Sequence, residues 1–314
     1  MRDTSGVSRE SPAGRHAISA DLIAVLVAAP NGSPMVLTIK NATALPSGPF
    51  ELGHRSLQSG LRDWVEQQTG HPLGYIEQLY TFADRDRSSD EMANRVISIS
   101  YLGLTREEPA HGTPPGSWRS WYEFFPWEDH RAGAPEIIQD IIVPRLRQWA
   151  DGAGQQDMRQ NRLRRAASAF GFDDRQWNEE LVLQRYELLY EADLVEEAVR
   201  AKGTGEASAV PSRSMSGDHR RILATGIARL RTKIKYRPVV FELMPPEFTL
   251  LQLQRAVEAL AGLTVHKQNF RRLIEQQDLV EETGQMSSDT GGRPAKLFRF
   301  RHAVLDERTV AGTK

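Results

Sequence analysis

The segment from Asp218 to Arg301 constrains the fold more than any other part of this 314-residue chain. "DHRRILATGIARLRTKIKY" predicts a helix and "RPVVFEL" a short strand. "TLLQLQRAVEALAG" predicts a helix capped by Thr249, and "VHKQNFRRLIEQQDL" another. "VEETGQMSSDTGGRPAKLFRFR" then predicts two strands around a glycine-rich tip. A helix–turn–helix followed by a β-hairpin is the outline of a winged helix. In its third helix Phe270, Leu273 and Ile274 share an apolar face, while Lys267, Asn269, Arg271 and Arg272 gather near the start. A recognition helix presents such residues to base edges, arginine to guanine and asparagine to adenine. The glycines of "GGRPAK" allow a tight turn that presents Arg293 and Lys296 to phosphates or the minor groove.

Charge is distributed to match. Asp218 to Lys314 holds 17 Lys+Arg against 11 Asp+Glu, and the preceding residues hold 23 against 30. One end is therefore expected to suit a polyanion. Upstream, "AKGTGEASAVPSRSMSG" (201–217) is small, polar and patternless, and reads as a linker. The polar residues 1–18 read as a disordered leader and 306–314 as a tail.

Between leader and linker the pattern changes to alternating strands and helices. "DLIAVLVAA" and "PMVLTIK" predict a hairpin around "PNGS". "RSLQSGLRDWVEQQTG" places Leu57, Leu61, Trp64 and Val65 on one helical face, with Gly70 as its stop. "YIEQLYTFAD", "NRVISISYLGL" and "SWRSWYEFFP" predict strands, and "APEIIQDIIVPRLRQWA" a helix. That order implies a mixed sheet with helices on its faces over residues 19–150. Two helical segments, 156–170 and 173–200, make a helical extension over 151–200, and the winged helix is expected over 218–305.

The stretch "SGLRDWVEQQTG" with the preceding "LPSG" resembles the catalytic box of the Nudix pyrophosphatases, Gx5Ex7REUxEExGU. Anchored on Gly70, the resemblance places Asp63 at the box arginine, Trp64 at the next glutamate, and Gln67 and Gln68 at the metal-binding pair. Arg55 stands where the earlier glutamate belongs, with Glu51 displaced nearby. Hard divalent cations need anionic oxygen ligands, and an indole and two neutral amides do not supply them. The box therefore implies a cleft without hydrolysis, and no catalytic residue or metal site is assigned. In "LYTFADRDRSSDEMANRVISISYLGL", which resembles a segment of ADP-ribose-type Nudix proteins, Arg85, Arg87 and Arg95 are candidates to fork onto a diphosphate. Phe82 and Tyr101 are candidates to stack on a base.

The pieces "YRPVVFELMPPEFTL", "KQNFRR" and "GRPAKLFRF" resemble the winged-helix domain of the Nudix-related transcriptional regulators of NAD metabolism, the NrtR family. The chain length and the helical extension favour the NadQ-like subfamily. The resemblance implies an α+β chain: a Nudix-like α/β/α sandwich with a helical extension and a C-terminal winged helix-turn-helix domain. It implies a homodimeric, cytoplasmic bacterial repressor of NAD-synthesis or salvage genes, bound to a palindromic operator. Its effector would be ADP-ribose, NAD or ATP, held without cleavage and with no catalytic cofactor. Two other readings are an active pyrophosphatase with relocated ligands such as Glu51 and Glu66, and a partner-binding module whose winged helix contacts protein.

The remaining signals exclude rather than assign. The chain has no cysteine, which removes disulfides, thiolate metal sites and thiol nucleophiles. Its eight histidines show no HExxH spacing, and no GxSxG, Walker or GxGxxG motif occurs. "LIAVLVAAP" is too short to span a bilayer, so no membrane partner is expected.

Overall fold

The computed structural model describes residues 18–74, 76–83, 95–106, 116–203, 209–236, 240–287 and 294–301. The first apolar run forms strand β1 (Ile18–Ala28), buried on both sides from Leu22 onward. Across the Pro30–Gly32 turn it pairs antiparallel with β2 (Met35–Thr38), the expected hairpin. β3 (Ser47–Pro49) also pairs with β1, in a stretch whose prolines and glycine read as loop. β4 (Ile76–Phe82), β5 (Arg95–Leu104) and β6 (Ser117–Ser120) complete a sheet ordered β4-β5-β1-β2-β6, with β3 beside β1. β1 and β5 are parallel, and the other pairs antiparallel. The strand expected over "SWRSWYEFFP" stops at Ser120, whose hydroxyl caps the short helix α2 (Trp121–Phe124). A 3-10 turn, Pro126–Glu128, follows.

Period-two alternation splits the sheet into two apolar faces. Leu22, Ala24, Leu26 and Tyr101 face one way and are covered by Leu61 and Val65 of helix α1 (Leu57–Thr69). A reciprocal Ser56/Ser59 capping box starts α1, and Gly70 at φ 68° ends it. Ile23, Val25, Val27 and Phe82 face the other way, into a much larger core.

That larger core is built by helices α3 (Val143–Asp151), α4 (Gln156–Phe170), α5 (Val182–Glu191), α6 (Glu196–Lys202) and α7 (His219–Tyr236). A π turn, Ile138–Ile142, leads into α3 just before Pro144, which cannot donate to a regular helical ladder. The continuous helix expected over 173–200 is broken into α5 and α6. Asp173, Asp174 and Asp193 take positive φ at the breaks, where short carboxylate side chains tolerate the left-handed region.

Two parts of the chain lie elsewhere than the sequence suggested. Over residues 209–217 the expected linker is stitched to the first domain. The Val210 amide donates to Leu194, that of Ser216 to Thr43, and that of Met215 to the Glu197 carboxylate at 2.7 Å. Val210 and Met215 are buried, so two apolar residues in a polar stretch anchor it. Helix α7, expected to open the winged helix, crosses the sheet's second face instead. Gly226 sits against Val25, so close that a Cβ there would lie 2.9 Å from a valine methyl.

The winged helix proper begins later. The expected strand "RPVVFEL" is, over its described residues, a 3-10 turn (Phe241–Leu243). Helix α8 (Leu250–Ala261) opens on a Thr249/Gln252 capping box and closes at Gly262, φ 70°. Helix α9 (Lys267–Gln276) follows a short turn. Strands β7 (Val280–Ser287) and β8 (Ala295–Phe300) form the wing, and Phe248 adds a bridge to Phe298. Phe248, Phe270, Ile274 and Phe300 belong to the same continuous core as the sheet's second face. Among the described residues, no helix is long and apolar enough to cross a membrane.

Candidate functional site

The polar start of α9, which the sequence pointed to, is exposed. Phe270 and Ile274 are buried and fix the inward side of this helix. At about 100° per residue, Arg272 then points furthest outward, with Gln268 and Asn269 on either side of it. Lys267 and Arg271 lie on the shoulder nearer the buried stripe, and all five are exposed. Gln268 was not among the residues the sequence singled out. It becomes a candidate because it sits one turn before Arg272 on the same outward row. Glutamine reads adenine by the same two-bond geometry as asparagine.

On the wing, Lys296 donates to both carboxylate oxygens of Glu282, at 2.8 and 2.9 Å, and Arg299 pairs with Glu281 at 2.7 Å. These pairs are exposed, and such pairs contribute only about 0–1 kcal/mol. Lys296 therefore has little to lose on turning to a phosphate. Arg293 lies outside the described residues.

Several basic residues of the C-terminal part are paired with acidic residues of the first domain. In α7, Arg220 pairs with Glu197, Arg221 with Glu187, Arg231 with Glu128, Lys233 with Glu77, and Lys235 with Glu180. Arg220 and Arg231 are fully buried. Part of the charge excess counted in the sequence is thus paired within the chain along α7. The cluster at the start of α9 and Lys296 on the wing stay exposed for an anionic partner.

On the Nudix-like domain, the box residues serve to hold the fold together. The Trp64 indole Nε1 donates to the Pro49 carbonyl at 2.9 Å. Its ring lies flat on Gly48, where a Cβ would fall inside the indole, so only glycine fits there. The Gln68 side-chain amide pairs with the Ser47 backbone in both directions, accepting at 3.1 Å and donating at 2.8 Å. Gln68 thus acts like a short extra strand that ties α1 to β3. His54 packs edge-on to Trp64 at 6.3 Å, and Phe50 lies 5.9 Å from His54. Gln67 and Glu66 are exposed. At the positions that the sequence resemblance sets at the box glutamates, Trp64 and Gln68 offer an indole and an amide already engaged with backbone. They do not fit a hard cation. Among the described residues, no three His, Asp or Glu side chains converge to hold a metal ion.

The aromatic candidates are placed in the core. Phe82 is buried, edge-on to Tyr80 at 5.0 Å, with the Arg221 guanidinium 4.9 Å from its ring centre. Tyr101 is buried beneath α1, and burial pushes its hydroxyl pKa up. Neither ring has a free face for a base, and the exposed ring beside Phe82 is Tyr80. Arg85 and Arg87 lie outside the described residues, and of Arg95 only the backbone is described, paired with Ile18 in β5. Local alternation could not separate inward from outward aromatics on a sheet covered on both faces.

Comparison with known proteins agrees with this geometry. Residues 240–300 match the NrtR DNA-binding winged helix domain. Over 83 residues the chain is 43% identical to the ADPR responsive transcriptional repressor NtrR of Acinetobacter baylyi, a match covering 26% of this chain and 33% of that protein. The match thus spans about a third of the length of this curated relative. The fold is similar to that of Shewanella oneidensis NrtR complexed with a 27mer DNA, with TM-score 0.51 at 19% identity over 90% of this chain and 93% of that one. It is also similar to a MutT/nudix family protein from Enterococcus faecalis, with TM-score 0.52 at 16% identity over 93% and 90%. Residues 240–300 are therefore similar to the NrtR DNA-binding winged helix domain, and the chain as a whole shares the fold of these Nudix-like proteins.

Proposed function

We propose that the protein is a homodimeric transcriptional repressor of NAD-synthesis or salvage genes. Its winged helices read a palindromic operator, and its Nudix-like domain senses a nucleotide without cleaving it. The observation that carries this reading is the polar start of α9, where Lys267, Gln268, Asn269, Arg271 and Arg272 are all exposed on a helix of the NrtR type. The name of the Acinetobacter relative favours ADP-ribose over NAD or ATP as effector. Arg85, Arg87 and Arg95 are the side chains proposed to hold its diphosphate. The engagement of Trp64 and Gln68 with β3 supports a sensor over an enzyme, because a sensor must hold its ligand intact.

Anisotropy with a labelled NAD-synthesis promoter, with and without ADP-ribose, tests this reading. Arg272→Ala should weaken specific binding by about 1–3 kcal/mol and relax base preference at one position. Lys267→Ala and Arg271→Ala should instead lower the salt dependence by about one unit each, as phosphate contacts do. Unchanged operator affinity in all three variants would remove α9 from the readout. Incubation with Mg²⁺ and ADP-ribose should show no turnover, and clear hydrolysis would favour the pyrophosphatase reading.

A further inference from the structure

Behind the winged helix lies a buried ionic cluster that neither reading of the site above uses. Glu128 sits on the 3-10 turn after α2 and is fully buried. Its carboxylate accepts from Arg185 Nε at 2.5 Å and Nη2 at 2.8 Å, and from Arg231 Nη1 at 2.5 Å. Both arginines are fully buried as well. Arg185 also donates to the carbonyls of Ala169 and Asn178, at 3.0 and 2.8 Å. Burial alone would push the Glu128 pKa up, but the two guanidinium groups outweigh it and hold the carboxyl below its ordinary range.

The two buried guanidinium groups share this one carboxylate, with the Glu179 charge also acting on Arg185 and its carbonyl accepting from Arg231 at 3.2 Å. A further acceptor comes from the DNA-reading unit. Arg231 Nε donates to the Leu260 carbonyl at 3.0 Å, at the C-terminal end of α8, where the helix carries partial negative charge. Two further donors reach the same helix end: the Tyr122 hydroxyl to Ala259 O at 2.9 Å, and the His130 amide to Gly262 O at 2.8 Å. The His130 ring stacks on Trp177 at 3.8 Å, and the Arg185 guanidinium lies over the Trp177 ring, 3.7 Å from its centroid. Gly262 is pressed against this surface. A Cβ there would collide with the Glu128 carbonyl and lie 2.6 Å from Arg231 Nη2 and 3.0 Å from the Tyr122 hydroxyl.

We propose that Glu128, Arg185, Arg231, Tyr122 and the His130 backbone form a docking socket for the C-terminal end of α8, which sets the orientation of α9 on the Nudix-like domain. Gly262 ends α8 and Lys267 begins α9, so carbonyls held at 259–262 fix the direction in which the next helix leaves. Helix α7 carries the socket to the other domain face. Arg231 stands on the same helix as Lys233, paired with Glu77 of β4, and Arg221, packed on Phe82 of β4. A change at β4 therefore reaches α8 through one rigid element. This coupling rests on the repressor reading above, whereas the socket itself does not.

The test uses the full chain with Glu128→Gln, which keeps shape and removes charge, and Tyr122→Phe, which removes one hydroxyl and leaves the ionic cluster intact. Amide hydrogen exchange is read over residues 259–270 without DNA or nucleotide. Both variants should exchange there about tenfold faster than the parent, with the β1 and β5 amides unchanged. In the operator assay ADP-ribose should still bind, by calorimetry, within about threefold of the parent, while its effect on operator affinity falls at least about fivefold. Parent-like exchange at 259–270 in both variants overturns the socket. If Glu128→Gln does not fold, Tyr122→Phe decides alone. A parent that binds operator but ignores ADP-ribose would sink the effector reading above, and the exchange result would still decide the socket.

Discussion

His219, the first residue of α7, shows how much a single contact can hide from the sequence. Its Nδ1 accepts a hydrogen bond from the Leu45 amide at 3.1 Å, which requires the neutral ring. Burial, helped by the nearby Lys40 charge, lowers its pKa from 6.5 to about 4. The unfolded chain therefore takes up the proton first as pH falls. This contribution to stability is complete above about pH 6.5 and is lost progressively toward pH 4. It amounts to about 1–2 kcal/mol, since the ring keeps some contact with solvent. Urea midpoints between pH 7 and pH 5 should fall, and His219→Asn, which keeps an acceptor that does not titrate, should flatten that slope. Nothing near His219 in sequence marks it, because its partner lies 174 residues away. Arg272, by contrast, was legible at once: its neighbours Phe270 and Ile274 set the inward side within one helical turn.

At the scale of elements, α1 and α8 were readable and α7 was not. Capping residues and terminal glycines announce α1 and α8 locally, through Ser56, Gly70, Thr249 and Gly262. Two expected consequences belong to these helices. Gln68→Ala removes both hydrogen bonds to Ser47 and should destabilise the protein by about 1–3 kcal/mol, measured by urea unfolding. Gly262→Ala forces a Cβ into a left-handed residue and into the Glu128 carbonyl, and should cost at least about 1–2 kcal/mol. Melting temperatures of the variant and of a control substitution at Gly203, where a Cβ meets nothing within 4 Å, separate the collision from the backbone strain. For α7 the sequence showed an amphipathic basic helix beside a winged-helix pattern, and adjacency suggested membership. The helix packs on the sheet because its small Gly226 admits Val25, and a glycine's partner cannot be read from periodicity.

Across the whole molecule, one continuous core runs from Val25 and Phe82 on the sheet, through Tyr186 and Leu230, to Phe270 and Phe300 in the winged helix. The two-part sequence pattern suggested units joined by a linker, yet α7 and the Glu128 cluster weld them. Calorimetry of the parent should therefore show a single cooperative transition, and two well-separated peaks would mean that the winged helix melts alone. The sequence by itself determined the winged-helix pattern and the outward chemistry of α9. Each of these rests on residues within a few turns of one another, where spacing alone sets which side chains share a face. Only the tertiary structure decided where α7 packs, that Phe82 and Tyr101 are core, and that Arg220 and Arg231 are buried in ion pairs. Those outcomes depend on partners such as Glu128 with Arg185 and Arg231, 57 and 103 residues apart. No local period encodes which distant charge a buried guanidinium will meet; that is settled when desolvation leaves it no partner but the one the fold supplies.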